Sequence, residues 1–259
     1  MVLCLKAWKS RSLPGFSFSL LTSWYIRYMF SVVIPVFNEE DNLVSLIKEV
    51  KTSLINYNDF ELIFVNDFST DNTLKILEKE KKKFDFKIFN NKINLGQSYS
   101  ILLGIKNSKY NIIVTLDGDG QNNPYDIPKL LEFYNKSNNT FLVGGIRIKR
   151  KDNIVKIISS RIANFVRSKF LKDGCIDTGC SLKVFDKNIF LNFEYFDGIH
   201  RFLPALFIGF GYKTVFLNVD HRKRKYGKSK YGTFLRLLNG FRDMIKVKKM
   251  IDKNKNLKL

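Results

Sequence analysis

Thr115-Leu116-Asp117-Gly118-Asp119-Gly120-Gln121-Asn122-Asn123-Pro124 is the stretch whose reading decides the fold. Asn111 to Leu116 is a short β-branched, apolar run of the kind that makes a buried strand. It stops at Asp117, Asp119 and Gln121, two carboxylates and an amide at alternate positions with glycines between. Side chains so spaced can converge on one hard cation, and oxygen ligands of this kind suit Mg²⁺ or Mn²⁺, which keep positions open for water or phosphate. The end of a buried strand in an α/β sheet is also where ligands tend to bind. A solvated Asp-Gly turn is the plain alternative. An EF-hand loop fails, because Asn122 stands where it needs glycine and Pro128 where it needs the bidentate glutamate.

Outward from this strand the pattern repeats. Upstream, Ser31 to Val36 reads as a strand, Asn38 to Asp41 as an acidic helix start, and Leu43, Ile47, Val50 and Leu54 as a helical stripe. Phe60 to Asn66 is a second strand, running into Asp67-Phe68-Ser69-Thr70-Asp71 and a helix through Leu74 and Leu77. A third strand lies near Phe86 to Phe89, and Asn94 to Ser98 opens a helix with apolar Ile101, Leu102 and Ile105. Downstream, Pro124 to Tyr134 forms a helix with proline near its first turn, and Thr140 to Gly145 a fifth strand. Alternation of this kind predicts an α/β domain with a mostly parallel, doubly wound sheet. Right-handed crossovers then put Asp67, Asp117 and Asp119 along one rim.

The second half is less regular. Ile154 to Leu171 reads as a basic amphipathic helix carrying Arg161 and Arg167, and Asp177-Thr178-Gly179-Cys180 precedes a strand over Ser181 to Phe185. His200 to Phe210 reads as a buried helix and Tyr212 to Val219 as a strand. His221 to Gly232 is a basic, glycine-punctuated loop, and Phe234 to Leu259 a basic amphipathic tail. On that tail Leu235, Leu238, Phe241, Ile245 and Val247 can share one side, with Arg236, Arg242, Lys246, Lys248 and Lys249 as the cations of an interfacial helix, and an ordinary amphipathic helix docked on its own domain is the equal alternative. The expected organisation is a leader over 1–28, a main α/β domain over 29–233 and the tail over 234–259. The leader has no acidic residue and the composition of a targeting segment; Met29 as the true start is the preferred reading, since a strand begins directly after it.

Composition bounds the partners. A 259-residue chain with 45% hydrophobic residues has material for one large core, and a net charge of +20 points to an anionic partner. Cys4, Cys175 and Cys180 form no Cys-x-x-Cys pair and suit a reduced, intracellular setting, the last two as buried thiols. Two histidines, His200 and His221, argue against a histidine-based zinc site. No segment reaches the roughly 18 to 20 apolar residues of a spanning helix.

Val32-Val-Ile-Pro-Val-Phe-Asn-Glu-Glu40, Val65-Asn-Asp-Phe-Ser-Thr-Asp71, Asn94-Leu-Gly-Gln-Ser98, Thr115 to Gln121, Asp177-Thr-Gly-Cys-Ser-Leu-Lys183, His200-Arg-Phe-Leu-Pro-Ala205 and Arg224-Lys-Tyr-Gly-Lys-Ser-Lys230 occur in order. Together they resemble the family 2 glycosyltransferases of GT-A fold, and within them the polyprenyl-phosphate branch typified by dolichol-phosphate mannosyltransferase. The resemblance implies a Rossmann-like, mostly parallel sheet flanked by helices. It implies that Asp117, Asp119 and Gln121 hold the divalent metal and donor diphosphate, that Asp67 contacts the nucleoside, and that Pro35, Asn38 and Glu39 shape that pocket. Arg147, Arg161 and Arg224 would surround donor diphosphate and acceptor phosphate, with Lys230 in the same basic loop, and Asp119 and Arg224 would carry catalysis. Asn66 and Phe68 depart from the family, where an acidic and a small residue are usual. Asp67 has a local alternative as a helix cap, and the 224–230 loop as a solvated basic loop.

The implied reaction is inverting transfer of mannose or another hexose from a nucleotide sugar to a polyprenyl phosphate. An acceptor phosphate is already anionic at neutral pH, so no strong general base is required. The expected partners are the nucleotide sugar, the lipid acceptor, a peripheral membrane surface at the cytoplasmic face and a membrane-anchoring subunit, with no nucleic acid, since no binding motif accompanies the cations. The rivals are a family 2 enzyme with a glycan acceptor and a non-catalytic phosphate or nucleic-acid binding protein.

Overall fold

Phe30–Val36 (β1) is buried along its whole length, and its side chains divide between two cores. Phe30, Val32, Ile34 and Val36 enter one hydrophobic cluster and Val33 the other. Alternation of successive side chains makes a strand apolar on both faces the middle of a three-layer fold. The structure is a computed structural model and describes residues 29–137, 140–148, 154–224 and 233–256, the side chains of 140, 154–161 and 233–239 excepted.

Phe60–Asn66 (β2) and Ile112–Thr115 (β4) flank β1 in parallel, with Lys87–Asn90 (β3) outside β2. Thr140–Ile148 (β5), Lys183–Asp186 (β6) and Lys213–Asp220 (β7) extend the sheet to seven strands in the order β3-β2-β1-β4-β6-β5-β7. β5 and β7 are parallel, whereas β6 is antiparallel to both β4 and β5. The sheet is therefore mostly parallel, as expected, with one reversed strand whose direction its sequence does not reveal.

Glu40–Ser53 (α1) and, after Thr73–Lys81 (α2) and Gln97–Lys106 (α3), Ile127–Lys136 (α4) cover one face. Their Leu43, Leu46, Ile47, Val50, Leu130 and Leu131 join the first cluster. The other face is closed by Ile101 and Ile105 of α3 and by Lys187–Leu191 (α6), Leu203–Gly209 (α7) and Thr233–Asn256 (α8). Gly104 lets α3 approach β1, since a Cβ there would lie 2.4 Å from Val33 Cγ1. Ile154–Leu171 (α5) matches its expected span.

α2 begins at Thr73, because Asp71 Oδ1 accepts from Thr73 N while Ser69 and Thr70 are bonded to Asn66 and Asn38. One expectation changes. The tail helix does not present one apolar side: Met244, Val247 and Ile251 are buried in the second core cluster, while Phe241 is 59% and Ile245 38% exposed. Docking of α8 on the domain takes Val247 inward; Leu235 and Leu238 lie outside the described side chains. The leader 1–28 also lies outside the described residues. Among the described residues no helix is long and apolar enough to cross a membrane.

Candidate active site

Because β1, β2 and β4 are parallel, the segments after Val36, Asn66 and Thr115 lie on one edge of the sheet. Gly118 allows its loop to settle on β1: a Cβ there would stand 2.7 Å from Val36 Cγ1 and 3.0 Å from the Pro35 carbonyl oxygen. Pro35 thus supports the loop from within the sheet, where it is buried and paired with Val65.

Asp117 accepts a 2.6 Å hydrogen bond from Gln97 Nε2 at the start of α3. Burial and then the neighbouring Asp119 charge push its pKa up to about 6, against Ser181, Lys183 and Arg147, which favour the carboxylate. Asp119 Oδ1 accepts from Gln121 N at 3.1 Å, and its Oδ2 receives the Arg224 guanidinium. The segment after β7 is stitched to this loop: Arg222 N donates to Gln121 O at 2.8 Å, Asn122 bridges to His221, and Gln121 Nε2 donates to Arg222 O at 3.3 Å. Gln121 Nε2 lies 3.5 Å from His221 Nε2.

Two carboxylates in one loop, one of them with its pKa raised by burial and then by the other's charge, are a pair whose repulsion a divalent cation would relieve. Among the described residues no group of three His, Cys, Asp or Glu side chains comes together. Two carboxylates without further ligands of these types would suit an ion that keeps positions for water or diphosphate.

On the neighbouring strand end Asp67 is only 4% exposed and both its oxygens are engaged. Oδ1 accepts from Asn91 Nδ2 at 2.7 Å and Leu95 N at 2.8 Å, and Oδ2 from Gly96 N at 2.8 Å. Asp67 thereby fixes the 91–96 loop that opens α3. It does not cap α2, whose N-cap is Asn72. Asn38, with φ +50°, exchanges bonds with Thr70, and Glu39 is buried against Asn42 and Thr73. Both shape the wall between β1 and β2.

Arg147 Nε and Nη2 grip Asp177 at 2.8 and 2.6 Å, and its backbone N donates to the same carboxylate at 3.0 Å. The Asp177 loop is tied to α5 through Asn164, which bonds Ile176 O and Thr178. Arg161 lies on α5 one turn before Asn164, its side chain outside those described, and Lys230 lies outside the described residues. Arg167, expected on a basic surface, is instead 7% exposed and paired with Asp173. Arg224 is brought to the carboxylate loop.

Four residues near the site escaped the sequence reading as individual contributors. Gln97 was legible only as part of a motif, and Asp177 likewise. Lys183 is 3% exposed in β6, its Nζ donating to Cys180 O; burial lowers its pKa, and its charge favours ionised Asp117. Nothing local distinguishes it from the many other lysines. Arg222 bonds Glu49 at 2.5 Å and Asn123 at 2.6 Å, bracing the carboxylate loop from outside. His200 meets Ser98 Oγ through Nδ1 at 2.6 Å. Cys175 and Cys180 are buried, free thiols as expected, and burial raises the pKa of Cys180 to about 11.

The family pattern described as glycosyl transferase family 2 matches residues 31–193, more than half of the chain. The chain belongs to glycosyl transferase family 2. This family 2 chain is 31% identical over 219 residues to undecaprenyl-phosphate 4-deoxy-4-formamido-L-arabinose transferase of Pectobacterium carotovorum, covering 83% of the chain and 66% of that protein. It is 34% identical over 208 residues to dodecaprenyl-phosphate galacturonate synthase of Rhizobium johnstonii, covering 78% and 61%. The chain therefore spans 61–66% of the length of these two relatives. Among solved structures, glucosyl-3-phosphoglycerate synthase of Mycobacterium tuberculosis with Mn²⁺, UDP and glucosyl-3-phosphoglycerate superposes with a TM-score of 0.63 at 16% identity, over 92% of this chain and 85% of that one. A further structure of that enzyme contains Mg²⁺ and UDP. The likeness establishes the GT-A fold.

Proposed function

We propose that this family 2 chain transfers a hexose, with inversion, from a nucleoside-diphosphate sugar to a polyprenyl phosphate. The observation that carries the reading is the Asp117-Gly118-Asp119 loop on the strand-end rim, with Arg224 delivered to Asp119 from beyond β7. Both curated relatives are named for transfer or synthesis on a polyprenyl phosphate, which supports the acceptor class. Asp117, Asp119 and Gln121 would hold Mg²⁺ or Mn²⁺, whose charge stabilises a leaving diphosphate. Arg224 stands beside them as the side chain that can turn from Asp119 to phosphate oxygens. Gln97 and Lys183 orient and favour the ionised Asp117. Arg161 is proposed for the acceptor phosphate.

A membrane-borne acceptor is supported by the exposed apolar residues Ile162, Phe165, Val166 and Phe170 of α5 and Phe241 and Ile245 of α8, two helices in contact. Arg242, Lys246 and Lys249 are exposed beside them. Such a face fits peripheral docking on an anionic bilayer, proposed here at the cytoplasmic surface.

One observation favours a glycan acceptor as a second reading. Asp197 and Asp243 line a cleft of about 270 Å³ with Arg201, Arg242 and Lys246, and burial raises the pKa of Asp243, as a general base for a sugar hydroxyl requires. A panel of radiolabelled nucleotide sugars with Mn²⁺ separates the readings, offering polyprenyl phosphate, the matching polyprenol and a soluble glycan. Label should enter the lipid phosphate alone, and Arg161→Ala should lower kcat/KM for it roughly 10- to 100-fold, the worth of a hydrogen bond to a charged group. Transfer to the free alcohol or glycan, or lipid kinetics untouched by Arg161→Ala, would overturn the acceptor assignment.

A further inference from the structure

Gln97, the first residue of α3, donates its Nε2 to Asp117 Oδ1 at 2.6 Å. A donor of this kind orients a carboxylate only as well as its own backbone is held. The first turn of a helix lacks intrahelical partners for its N–H groups and frays unless something outside the helix fixes it. The N-cap of α3 is Gly96, with φ +84° and no side chain to cap with. Two other groups hold the turn instead, one on each side of Gln97. Before it, Asp67 accepts from Leu95 N and Gly96 N, each at 2.8 Å. After it, the fully buried Ser98 receives Gly198 N on its Oγ at 2.8 Å and meets His200 Nδ1 through the same atom at 2.6 Å. The Gly198 N–H takes an acceptor position on Ser98 Oγ, which leaves the hydroxyl hydrogen to point at His200. By this hydrogen-bond pattern Nδ1 is the acceptor, and the neutral ring carries its proton on Nε2.

The loop that bears His200 is itself rigid. Ile199, Phe202 and Leu203 are buried in the second core cluster, and Arg201 Nη2 donates to Asp243 Oδ2 of α8 at 3.1 Å. This ion pair lies over Gly198, where a Cβ would stand 2.6 Å from Asp243 Oδ2 and 2.7 Å from Arg201 Nη2. With φ at +99° besides, the position admits only glycine without strain. We propose that His200 is a positioning residue for the metal loop, acting through Ser98 on Gln97 and through Gln97 on Asp117, an inference that rests on the metal reading above. The path from His200 to Asp117 is two hydrogen bonds and one peptide link. It ties the carboxylate loop after β4 to a loop anchored on α8, and it fixes Asp117 Oδ1 from the α3 side.

Mn²⁺ binding to the full chain tests this, read from the loss of the free-ion electron paramagnetic resonance signal well below the melting temperature of every variant. The variants are His200→Phe, His200→Asn, Ser98→Ala, Gln97→Ala and the double variant His200→Phe with Gln97→Ala. Phenylalanine keeps a ring and deletes the acceptor, whereas asparagine can place its Oδ1 where Nδ1 stands. His200→Phe, Ser98→Ala and Gln97→Ala should each weaken Mn²⁺ binding roughly three- to tenfold, the worth of one hydrogen bond. His200→Asn should retain wild-type affinity. The double variant should bind no more weakly than Gln97→Ala alone, because residues acting in series are not additive. Additive losses in the double variant, a loss in His200→Asn equal to that in His200→Phe, or unchanged affinity in His200→Phe and Ser98→Ala would overturn the assignment while leaving the metal reading intact. Should His200→Phe fail to fold, Ser98→Ala decides by the same measure. A wild type that takes up no Mn²⁺ would overturn both.

Discussion

Asp117→Asn should make the metal-free protein more stable at neutral pH while removing its proposed metal site. The Asp117 pKa is about 6 in the folded chain, against 3.8 for an ordinary exposed aspartate. A raised folded pKa means that the unfolded chain ionises first. Between about pH 4 and 6 the folded state loses stability from this group, and above pH 6 the full penalty remains. At 1.36 kcal/mol per pKa unit the ceiling is about 3 kcal/mol, and the coupling to Asp119 and partial relief by Lys183 place the expected gain at about 1–3 kcal/mol. For a domain of this size that raises Tm by roughly 2–12 °C. Asparagine keeps an acceptor for the Gln97 amide, so the 2.6 Å contact need not be lost. Thermal melts in EDTA at pH 8 should show the variant above wild type, and at pH 3.5 the two should converge. Saturating Mn²⁺ should reverse the order, since binding at 100-fold over Kd adds about 2.7 kcal/mol to the wild type alone. A variant melting below wild type in EDTA at pH 8, or equal stabilisation of both by Mn²⁺, would refute the reasoning.

Three further outcomes are expected. Arg224→Ala removes a cation that competes for Asp119, so Mn²⁺ alone should bind roughly tenfold tighter while nucleotide binding weakens, the scale of one charge-assisted hydrogen bond; weaker Mn²⁺ binding would show that Arg224 braces the metal loop. Gly104→Ala gains about 1 kcal/mol of helix propensity but forces a methyl to 2.4 Å from Val33 Cγ1. Overpacking of about 1–3 kcal/mol should dominate and lower Tm by a few degrees, and a rise would mean that α3 yields readily. Phe165→Asp with Phe241→Asp, both at exposed positions, should leave Tm unchanged and abolish co-sedimentation with phosphatidylglycerol vesicles. Undiminished sedimentation would remove the α5 and α8 face from the membrane reading.

Much of the frame is local. A short, β-branched run such as Ser31 to Val36 favours a buried strand, and the helical stripe after it covers one of its faces, so alternating periods predict the parallel core. Handed crossovers then bring the strand ends to one edge, which is why the rim holding Asp67, Asp117 and Asp119 is legible in the chain alone. The direction of β6 is not, because alternation of side chains is the same whichever way a strand runs.

The amino-acid sequence by itself determined the layers, the family and the carboxylate loop, all of which follow from short-range spacing. Tertiary structure alone decided which partners the charges take. Arg147 finds Asp177 across 30 residues and Arg224 finds Asp119 across 105. Asp67 anchors a loop that begins more than twenty residues later. Val247 turns inward while Phe241 and Ile245 stay out, because one face of α8 meets a core assembled from α3, α6 and α7. Electrostatic and packing energies depend on distances in space, and for these pairs the chain brings together groups that no local pattern relates.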